Sequence, residues 1–382
     1  MKFSEIVGQH SLKQKLVATV KEGRISHAQL FLGNEGTGAL PLALAYAQYL
    51  NCQSPLEADS CGNCPSCIKT AKLIHPDLHL SFPFVVKEKE DVADLYLKEF
   101  REAVLENPYL SYNDWMVAHS GELKQGNIPK PECASIIRKL SLHTFEGKYK
   151  IVVLWLPEYL KDTGNILLKI IEEPPAKTVF LLVAERQELL LPTILSRTQL
   201  IKIPRITTDD LAVWLNDKFQ IGQQQAHSIA LLSEGNLRTA VSLVDHEVSI
   251  NEELFITCMR VCYSGDGLKI LDWVLKISEL TRDQKKHFLQ YGLHMLRECF
   301  LMQYGSAKLV RLRDTELKFV QDFSPLILKH NFQEFNRVMN DASYYIERNA
   351  NAKLVFHNMA NEIERLLAQT KKAKASAATP VA

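Results

Sequence analysis

The sequence predicts an α/β fold with a parallel sheet, followed by an all-α C-terminal region. Three observations support this prediction. About the first half of the chain alternates short apolar runs with longer helical patterns, which is typical of a parallel sheet with crossover helices. A glycine-rich loop, Gly33–Leu40, joins a candidate strand to a candidate helix. Beyond about residue 249 the chain shows helical patterns and no convincing strand.

The elements of the α/β part follow from apolar runs and from helix-breaking residues. Strands that are buried on both faces of a parallel sheet are continuously apolar. Runs of this kind cover residues 29–32, 150–155, 178–183 and 200–204. Helices are predicted over 39–50, directly after the glycine loop, and over 165–173, which is stopped by Pro174 and Pro175.

The domain boundaries are predicted from polar segments and composition. Pro204–Asp210 ends the α/β part, and Thr208 or Asp209 is the expected N-cap of the next helix. Three short helical patterns and then a long helical region follow, and a Lys- and Ala-rich end is predicted to be disordered. The predicted parts are therefore 1–205, 206–248, 249–369 and a tail at 370–382.

Composition narrows the class of protein. A chain of 382 residues, with 46% apolar and 23% charged residues, is typical of a soluble globular protein of two or three domains. The net charge of +1 excludes a protein that is basic all over, although a local basic face stays possible. The N-terminus has no secretory signal and the apolar runs are too short to cross a bilayer. We therefore expect a cytoplasmic protein without membrane partners.

The glycine loop matches only the frame of a phosphate-binding loop. A working loop reads G-x-x-x-x-G-K-[ST], in which the Lys contacts the β- and γ-phosphates and the hydroxyl binds magnesium. Gly33 and Gly38 keep the frame, but Ala39 and Leu40 stand in the two working positions. Neither side chain neutralises a triphosphate or binds a hard cation. We expect no ATP binding and no ATP hydrolysis by this chain, although the loop alone also fits a chance turn.

The second element of a magnesium site is also missing. Phosphate-loop ATPases hold magnesium with an acidic residue at the end of a neighbouring strand. Here the strand that includes Val153 ends in the apolar pair Trp155-Leu156. Glu158 is the nearest acid, but it lies beyond Pro157 and outside the expected register. The loop lacks its Lys and its hydroxyl, and the neighbouring strand lacks its acidic residues. Together these two losses predict a nucleotide-binding type of fold that is inactive.

Four cysteines are candidate metal ligands. Cys52, Cys61, Cys64 and Cys67 form C-x8-C-x2-C-x2-C inside an insertion at 52–67. In a reducing compartment such spacing favours metal binding over disulfides, and four thiolates make a closed, structural zinc site. An iron–sulfur cluster also uses four thiolates, and four free thiols are a further alternative. Structural zinc is our prediction.

Ser196-Arg197 is a candidate for action on a neighbouring subunit. The pair ends a predicted helical turn that begins near Pro192. The fixed charge and forked donors of an arginine suit a γ-phosphate in the transition state, and such a residue can be supplied in trans. The alternative is a surface arginine that interacts with the helix C-terminus.

Several segments together resemble the clamp-loader branch of the AAA+ ATPases, and within it the bacterial delta-prime type of subunit. The resemblance covers residues 1 to about 245, and beyond that only helical content and length agree. The matching segments are Val7-Gly8-Gln9, Ser26-His27-Ala28, the glycine loop, the cysteine insertion, Gly147–Lys150, Leu167–Lys169, Glu172–Pro175 and Leu191–Arg197.

The resemblance implies a RecA-like AAA+ domain at 1–205, a small helical lid and an all-α collar that holds an oligomer together. It implies a non-catalytic stator in which Arg197, with Ser196 beside it, is an arginine finger for an adjacent ATPase. The degenerate nucleotide site is then formed by Gly33, Gly36, Gly38 and, at the sensor-2 position of the lid, Arg238.

Three features depart from the pattern of that branch. Thr198 replaces the usual cysteine after Ser-Arg, and Glu185 places an anion where a phosphate would lie. The segment 99–130, with Trp115 and Met116, is longer than the pattern and has no assigned role.

The resemblance also implies partners. These are delta and gamma/tau-type motor subunits in a hetero-pentamer of the DNA polymerase III holoenzyme, the sliding clamp, and primer–template DNA without sequence specificity. Two alternatives from other classes are an autonomous AAA+ ATPase with a nonstandard loop and a zinc-containing DNA-binding scaffold. The first needs a replacement cation that we do not find nearby in the sequence. The second needs a basic surface around the cysteines, where only Lys69 and Lys72 lie close.

Overall fold

A computed structural model describes residues 1–122, 124–245, 248–305, 312 and 314–377. Five strands form one parallel sheet in the order β2-β3-β4-β1-β5. The strands are β1 (Ala28–Leu32), β2 (Leu78–Ser81), β3 (Lys150–Trp155), β4 (Thr178–Ala184) and β5 (Gln199–Lys202). The four strands predicted from apolar runs are confirmed, and β2 is an additional edge strand.

Seventeen helices are present in the described residues. Eight lie before residue 200: α1 (His10–Lys21), α2 (Ala39–Leu50), α3 (Pro65–Ala71), α4 (Leu97–Glu106), α5 (Tyr112–Ser120), α6 (Lys130–Ser141), α7 (Leu168–Glu172) and α8 (Pro192–Leu195). The others are α9 (Thr208–Phe219), α10 (Gln223–Leu232), α11 (Leu237–Asp245), α12 (Val248–Ser264), α13 (Gly267–Ser278), α14 (Arg282–Tyr304), α15 (Asp314–Phe323), α16 (Lys329–Glu347) and α17 (Ala352–Ala377).

The sheet is buried on both faces because its strands are apolar at successive positions. Along β1, Leu30 packs into one apolar cluster and Phe31 into the other, as the two-residue period of a strand requires. All residues of α2 are buried, and most of them belong to the cluster that contains Phe31. The predicted α/β fold with a parallel sheet is therefore confirmed, and the glycine loop follows β1, which lies inside the sheet between β4 and β5.

The chain divides into two compact units. The first contains Met1–Trp214 and Glu234–Thr239, and the second contains Leu215–Ser233 and Ala240–Ala382. Within the second unit the long helices enclose an aromatic core in which Trp273 lies against Phe288 and Phe356. The predicted division into an ATPase-type domain, a lid and a collar stays a prediction.

Three local predictions were wrong. The helix expected over 165–173 begins only at Leu168, because residues 157–167 form 3-10 turns with a left-handed φ of 48° at Lys161. The N-cap of α9 is Thr207, whose hydroxyl accepts a hydrogen bond from the backbone N–H of Asp210 at 3.2 Å. The tail expected to be disordered from residue 370 is helical to Ala377, since Ala and Lys are strong helix formers. Residues 378–382 lie outside the described part of the chain.

The segment 99–130 is built into the first unit. Its helix α5 buries Trp115 and Met116 completely, and the Trp115 indole donates a hydrogen bond to the Pro83 carbonyl at 2.6 Å. Phe82 and Phe100 surround the same indole edge-on.

Among the described residues no helix is both long and apolar enough to span a bilayer.

Candidate functional site

The glycine loop lies between β1 and α2, as the sequence predicts. Gly36 and Gly38 adopt left-handed φ angles of 75° and 92°, which only glycine takes without strain. Directly after them, Ala39 and Leu40 are buried in the apolar core. The positions at which a working loop carries its Lys and its hydroxyl therefore face protein rather than a ligand.

The loop hydroxyl that does exist is used internally. Thr37 is buried, and its Oγ1 donates to the carbonyl of Asn34 at 2.7 Å. At the start of the loop, the Gly33 amide donates to the carbonyl of Ala184 at 3.1 Å. These groups satisfy the loop itself and are not available to a phosphate.

The space in front of the helix start is almost filled. The cavity that Gly36 and Gly38 line measures about 20 Å³, and residues 108–110, Trp155, Val183 and Glu185 close it. That volume holds about one water molecule, whereas ligand pockets measure roughly 300–1,000 Å³. A wider cleft of about 860 Å³ is lined by Gly33, Asn34 and Thr37 of the loop, but neither Gly36 nor Gly38 lines it. The helix start therefore has no room for a nucleotide phosphate chain.

Tyr109 accounts for much of this filling. A Cβ atom on Gly38 would lie 3.0 Å from Cε1 of the Tyr109 ring, so the ring packs directly on the loop backbone. The Tyr109 hydroxyl accepts a hydrogen bond from the amide of Val7 at 3.1 Å. Burial raises the pKa of Tyr109 to about 12, so the ring is neutral at physiological pH.

Arg238 joins two carboxylates beside the loop. Its Nε and Nη2 donate to Oδ2 and Oδ1 of Asp114 at 2.7 and 2.6 Å, which is a bidentate pair. Its Nη1 donates to Oε1 of Glu35, inside the glycine loop, at 2.9 Å. Burial raises the pKa of Asp114, but the hydrogen bonds from Arg238 and Ser111 outweigh that effect and hold it below its usual value. Arg238 thus lies beside the glycine loop, where carboxylates of the same chain are its partners.

A half-buried acid group, Glu185, lies next to the loop. Burial, together with the charges of Glu35 and Glu158, raises the pKa of Glu185 to about 8. Oε1 of Glu158 accepts hydrogen bonds from the amides of Glu185 and Arg186 at 2.6 and 2.8 Å, so Glu158 fixes the turn after β4. The acid that lies nearest to the missing magnesium ligands therefore has a structural role in the turn.

The end of β3 is apolar, as predicted. Trp155 and Leu156 are buried, and Leu156 takes a left-handed φ of 55° as the chain leaves the strand. Neither residue offers an oxygen ligand. This edge of the sheet therefore lacks the carboxylate pair that a magnesium–nucleotide site requires.

Ser196 and Arg197 lie together after α8, away from the glycine loop. The Arg197 Nε donates to Oε2 of Glu172 at 2.7 Å, and its Nη1 donates to the Thr193 carbonyl at 3.1 Å. The Ser196 hydroxyl also donates to the Thr193 carbonyl at 3.1 Å. The Arg197 side chain is 32% exposed, so part of the guanidinium faces solvent while Glu172 holds the rest.

The four cysteines of the insertion converge. The Sγ atoms of Cys52, Cys61, Cys64 and Cys67 all lie within 4.8 Å of one another. Backbone amides donate to sulfur at 3.3–3.4 Å, from Cys61 to Cys52, from Cys64 to Cys61 and from Cys67 to Cys64. The hydrogen bonds of the Cys64 and Asn63 amides lower the pKa of Cys61 to about 6. Four close thiols with amides aimed at sulfur fit one tetrahedral metal ion.

The cysteine insertion also holds the N-terminus of the chain. Asp59 accepts hydrogen bonds from the amides of Phe3 and Ser4 at 3.0 and 2.9 Å. The N-terminal amine donates to Gln48 at 2.9 Å on the adjacent helix α2. The insertion therefore connects the start of the chain to the helix that follows the glycine loop.

Comparison with known families gives this arrangement a context. The family model described as DNA polymerase III, delta subunit, matches residues 8–207, which is more than half of the chain. The chain belongs to this family. The matched range contains the glycine loop, the cysteine cluster and Ser196-Arg197, and it confirms the resemblance to delta-prime-type clamp-loader subunits.

Relatives of this delta-prime-like chain include three DNA polymerase III subunits. Delta' of Escherichia coli K12 is 26% identical over 300 residues, 78% of this chain and 77% of the relative. Delta' of Yersinia pestis is 26% identical over 325 residues, 84% and 81% of the two chains. Subunit tau of Bacillus subtilis is 23% identical over 323 residues, 81% of this chain and 48% of the relative. A solved gamma subunit-related protein of Thermotoga maritima is 16% identical, covers 94% of this chain and 99% of its own, and has a TM-score of 0.39.

Sequence reasoning found the loop, Arg238, the cysteines and the Ser-Arg pair of this delta-prime-like chain. It missed Tyr109 and Asp114, which lie in the unassigned 99–130 segment. One local signal was present, because Ser111-x-x-Asp114 is a capping pattern that places Asp114 in the first turn of a helix. Nothing local in the sequence indicates that this first turn meets Arg238.

We predict that Glu185→Gln stabilises the chain at high pH. The pKa of Glu185 is raised from 4.5 to about 8 in the folded chain, so the folded state retains a proton that the unfolded state has lost. Stability therefore falls as pH rises from about 4.5 to about 8. Gln removes this penalty and should add at least about 1 kcal/mol at pH 8.5 and almost nothing at pH 4.5 in urea unfolding. Glu188→Gln, at an exposed neighbouring site, is the control, and a pH-independent effect of Glu185→Gln would contradict the assignment.

Proposed function

We propose that the chain is a non-catalytic stator of the DNA polymerase III clamp loader and that it does not hydrolyse ATP. The observation that supports this most directly is the glycine loop, whose two working positions hold Ala39 and Leu40 and whose cavity measures about 20 Å³. Membership of the family indicates the complex in which the chain takes part. The loop indicates that the chain lacks ATPase activity of its own. Both fit a subunit that keeps the frame of an ATPase for structural reasons.

The proposed catalytic contribution is made in trans by Arg197. Its planar guanidinium already binds a carboxylate, Glu172, at 2.7 Å. Glu172 accepts one hydrogen bond from Arg197, whereas phosphate oxygens accept a bidentate pair and carry more charge, so the ATP of an adjacent subunit can replace Glu172 as the partner. The half-exposed position of Arg197 supports this exchange, and Ser196 orients the segment through Thr193.

The proposed partners follow from the relatives. They include delta' chains and chains named tau and gamma. We infer a hetero-pentamer with delta and gamma/tau-type motor subunits, which acts on the sliding clamp and on primer–template DNA. Contacts with DNA in such a ring address the backbone and carry no sequence specificity.

The two alternative functions have less support. An autonomous ATPase needs a cation in place of the missing Lys, but Arg238 is held by Asp114 and Glu35 at 2.6–2.9 Å. A DNA-binding zinc scaffold needs free basic groups around the cysteines. Of the two nearby lysines, Lys69 is paired with Glu146 at 2.7 Å.

We propose that the cysteine cluster binds one structural zinc ion. Four thiolates leave no open coordination position, so the bound ion would contribute folding free energy rather than chemistry. Because Asp59 anchors the N-terminus, the metal would also order residues 1–5.

Metal analysis tests the zinc assignment. The purified chain should contain about one zinc per chain, and Cys61→Ser should lose most of it and unfold at lower temperature, since three remaining thiolates bind the ion less tightly. Cys133→Ala removes a buried thiol outside the cluster and should retain the metal. Iron with visible absorption would instead indicate an iron–sulfur cluster, and a metal-free chain of unchanged stability would contradict both.

Arg197→Ala tests the finger. In the assembled complex it should lower the DNA- and clamp-stimulated ATPase, because loss of such an arginine costs about 10³-fold at its own site. The loss observed for the whole ring will be smaller, since several sites turn over. Arg197→Lys, which keeps the charge but loses the fork, should be only partly active. Arg205→Ala removes another ion-paired surface arginine and serves as control; an unchanged rate for Arg197→Ala in an intact complex would exclude the finger.

A further inference from the structure

We propose that residues 107–114 are a built-in substitute for nucleotide. In this arrangement Asp114 takes the place of an anionic ligand as the partner of Arg238, and Tyr109 fills the space on the glycine loop. The contact anchors residues 235–238 to the loop without any nucleotide. It gives the unassigned segment a role in addition to the proposed stator function.

The charges at the site are already matched by the protein. Arg238 makes a two-bond fork with Asp114 and a third bond with Glu35. A forked guanidinium–carboxylate pair has the same geometry as a guanidinium–phosphate pair. A phosphate entering the site would have to displace both carboxylates while Glu185 lies beside the loop. The arginine that would attract an anion is therefore satisfied from within the chain.

The orientation of Asp114 is fixed by its own helix. The amide of Ser111 donates to Oδ2 of Asp114 at 2.9 Å, and the amide of Asp114 donates to the Ser111 hydroxyl at 3.1 Å. The next two residues, Trp115 and Met116, are fully buried. A carboxylate on so rigid a helix start loses little conformational entropy when it binds Arg238.

The segment that carries Arg238 is docked by further contacts. The amide of Leu237 donates to the Gly36 carbonyl at 3.0 Å. A Cβ atom on Gly36 would lie only 1.9 Å from Oδ1 of Asn236, so only glycine permits the approach. The amide of Ile206 donates to the Gly235 carbonyl at 3.2 Å. Each of these contacts joins protein groups, so none requires a ligand to form.

Hydrogen–deuterium exchange on the full-length chain tests this proposal. Asp114→Asn keeps the shape and the helix cap but removes the charge, and Arg238→Gln removes the guanidinium while leaving α5 unchanged. Each should speed exchange of the peptides that cover 33–40 and 234–240 by about threefold to tenfold, the range expected for loss of a partly exposed charged hydrogen-bond pair. The double variant should exchange no faster than the faster single one, because both remove the same contact.

The control is Asp94→Asn, which breaks an ion pair with Lys139 elsewhere in the same unit and should leave these peptides unchanged. ATP with magnesium should not alter exchange in the unmodified chain. Unchanged exchange in both single variants, additive effects in the double variant, or protection of the loop by ATP would each overturn the proposal. If Asp114→Asn unfolds the chain, Arg238→Gln alone tests the proposal. Because no partner subunit is present in this experiment, its outcome does not depend on the role proposed for Arg197.

Discussion

The three-residue cluster of Arg238, Asp114 and Glu35 determines the charge and the packing at the glycine loop. A glycine loop at the start of a helix presents amides and a partial positive charge, which attract anions. In this chain the nearby arginine is held by two carboxylates at 2.6–2.9 Å, and the loop is covered by the Tyr109 ring. The electrostatic demand of the frame is met within the polypeptide, so the fold needs no nucleotide to complete it.

The parallel sheet and Arg197 are present, although the side chains of a working nucleotide site are absent from the loop and from the end of β3. The parallel sheet still positions the loop, because its strands are buried on both faces whatever the loop binds. Ala39, Leu40 and the Trp155-Leu156 pair extend the apolar core into the places where charged groups would contact a nucleotide. Arg197 lies after another strand, outside this repacking, and keeps a partly exposed guanidinium. The role in trans that we propose for Arg197 therefore requires no change at the glycine loop.

The sequence predicted the parts whose signal is local. The strands were readable as continuous apolar runs, α2 was bounded correctly at 39–50, and the cysteine spacing predicted the cluster. The 3-10 turns at 157–167 were missed because left-handed backbone at Leu156 and Lys161 leaves no residue signature when the residue is not glycine. The contact of Asp114 with Arg238 joins residues 124 positions apart. No periodicity or spacing reports such a pair, so only the folded chain revealed it.

If the protein itself occupies the nucleotide-type site, the full-length chain should not bind ATP, which equilibrium dialysis of labelled ATP with magnesium measures. A motor subunit with an intact phosphate loop provides the positive control, and zinc content with circular dichroism establishes that the chain is folded. We expect no saturable, magnesium-dependent binding up to millimolar ATP. Saturable, magnesium-dependent binding of one ATP per chain would show instead that the site is open to nucleotide.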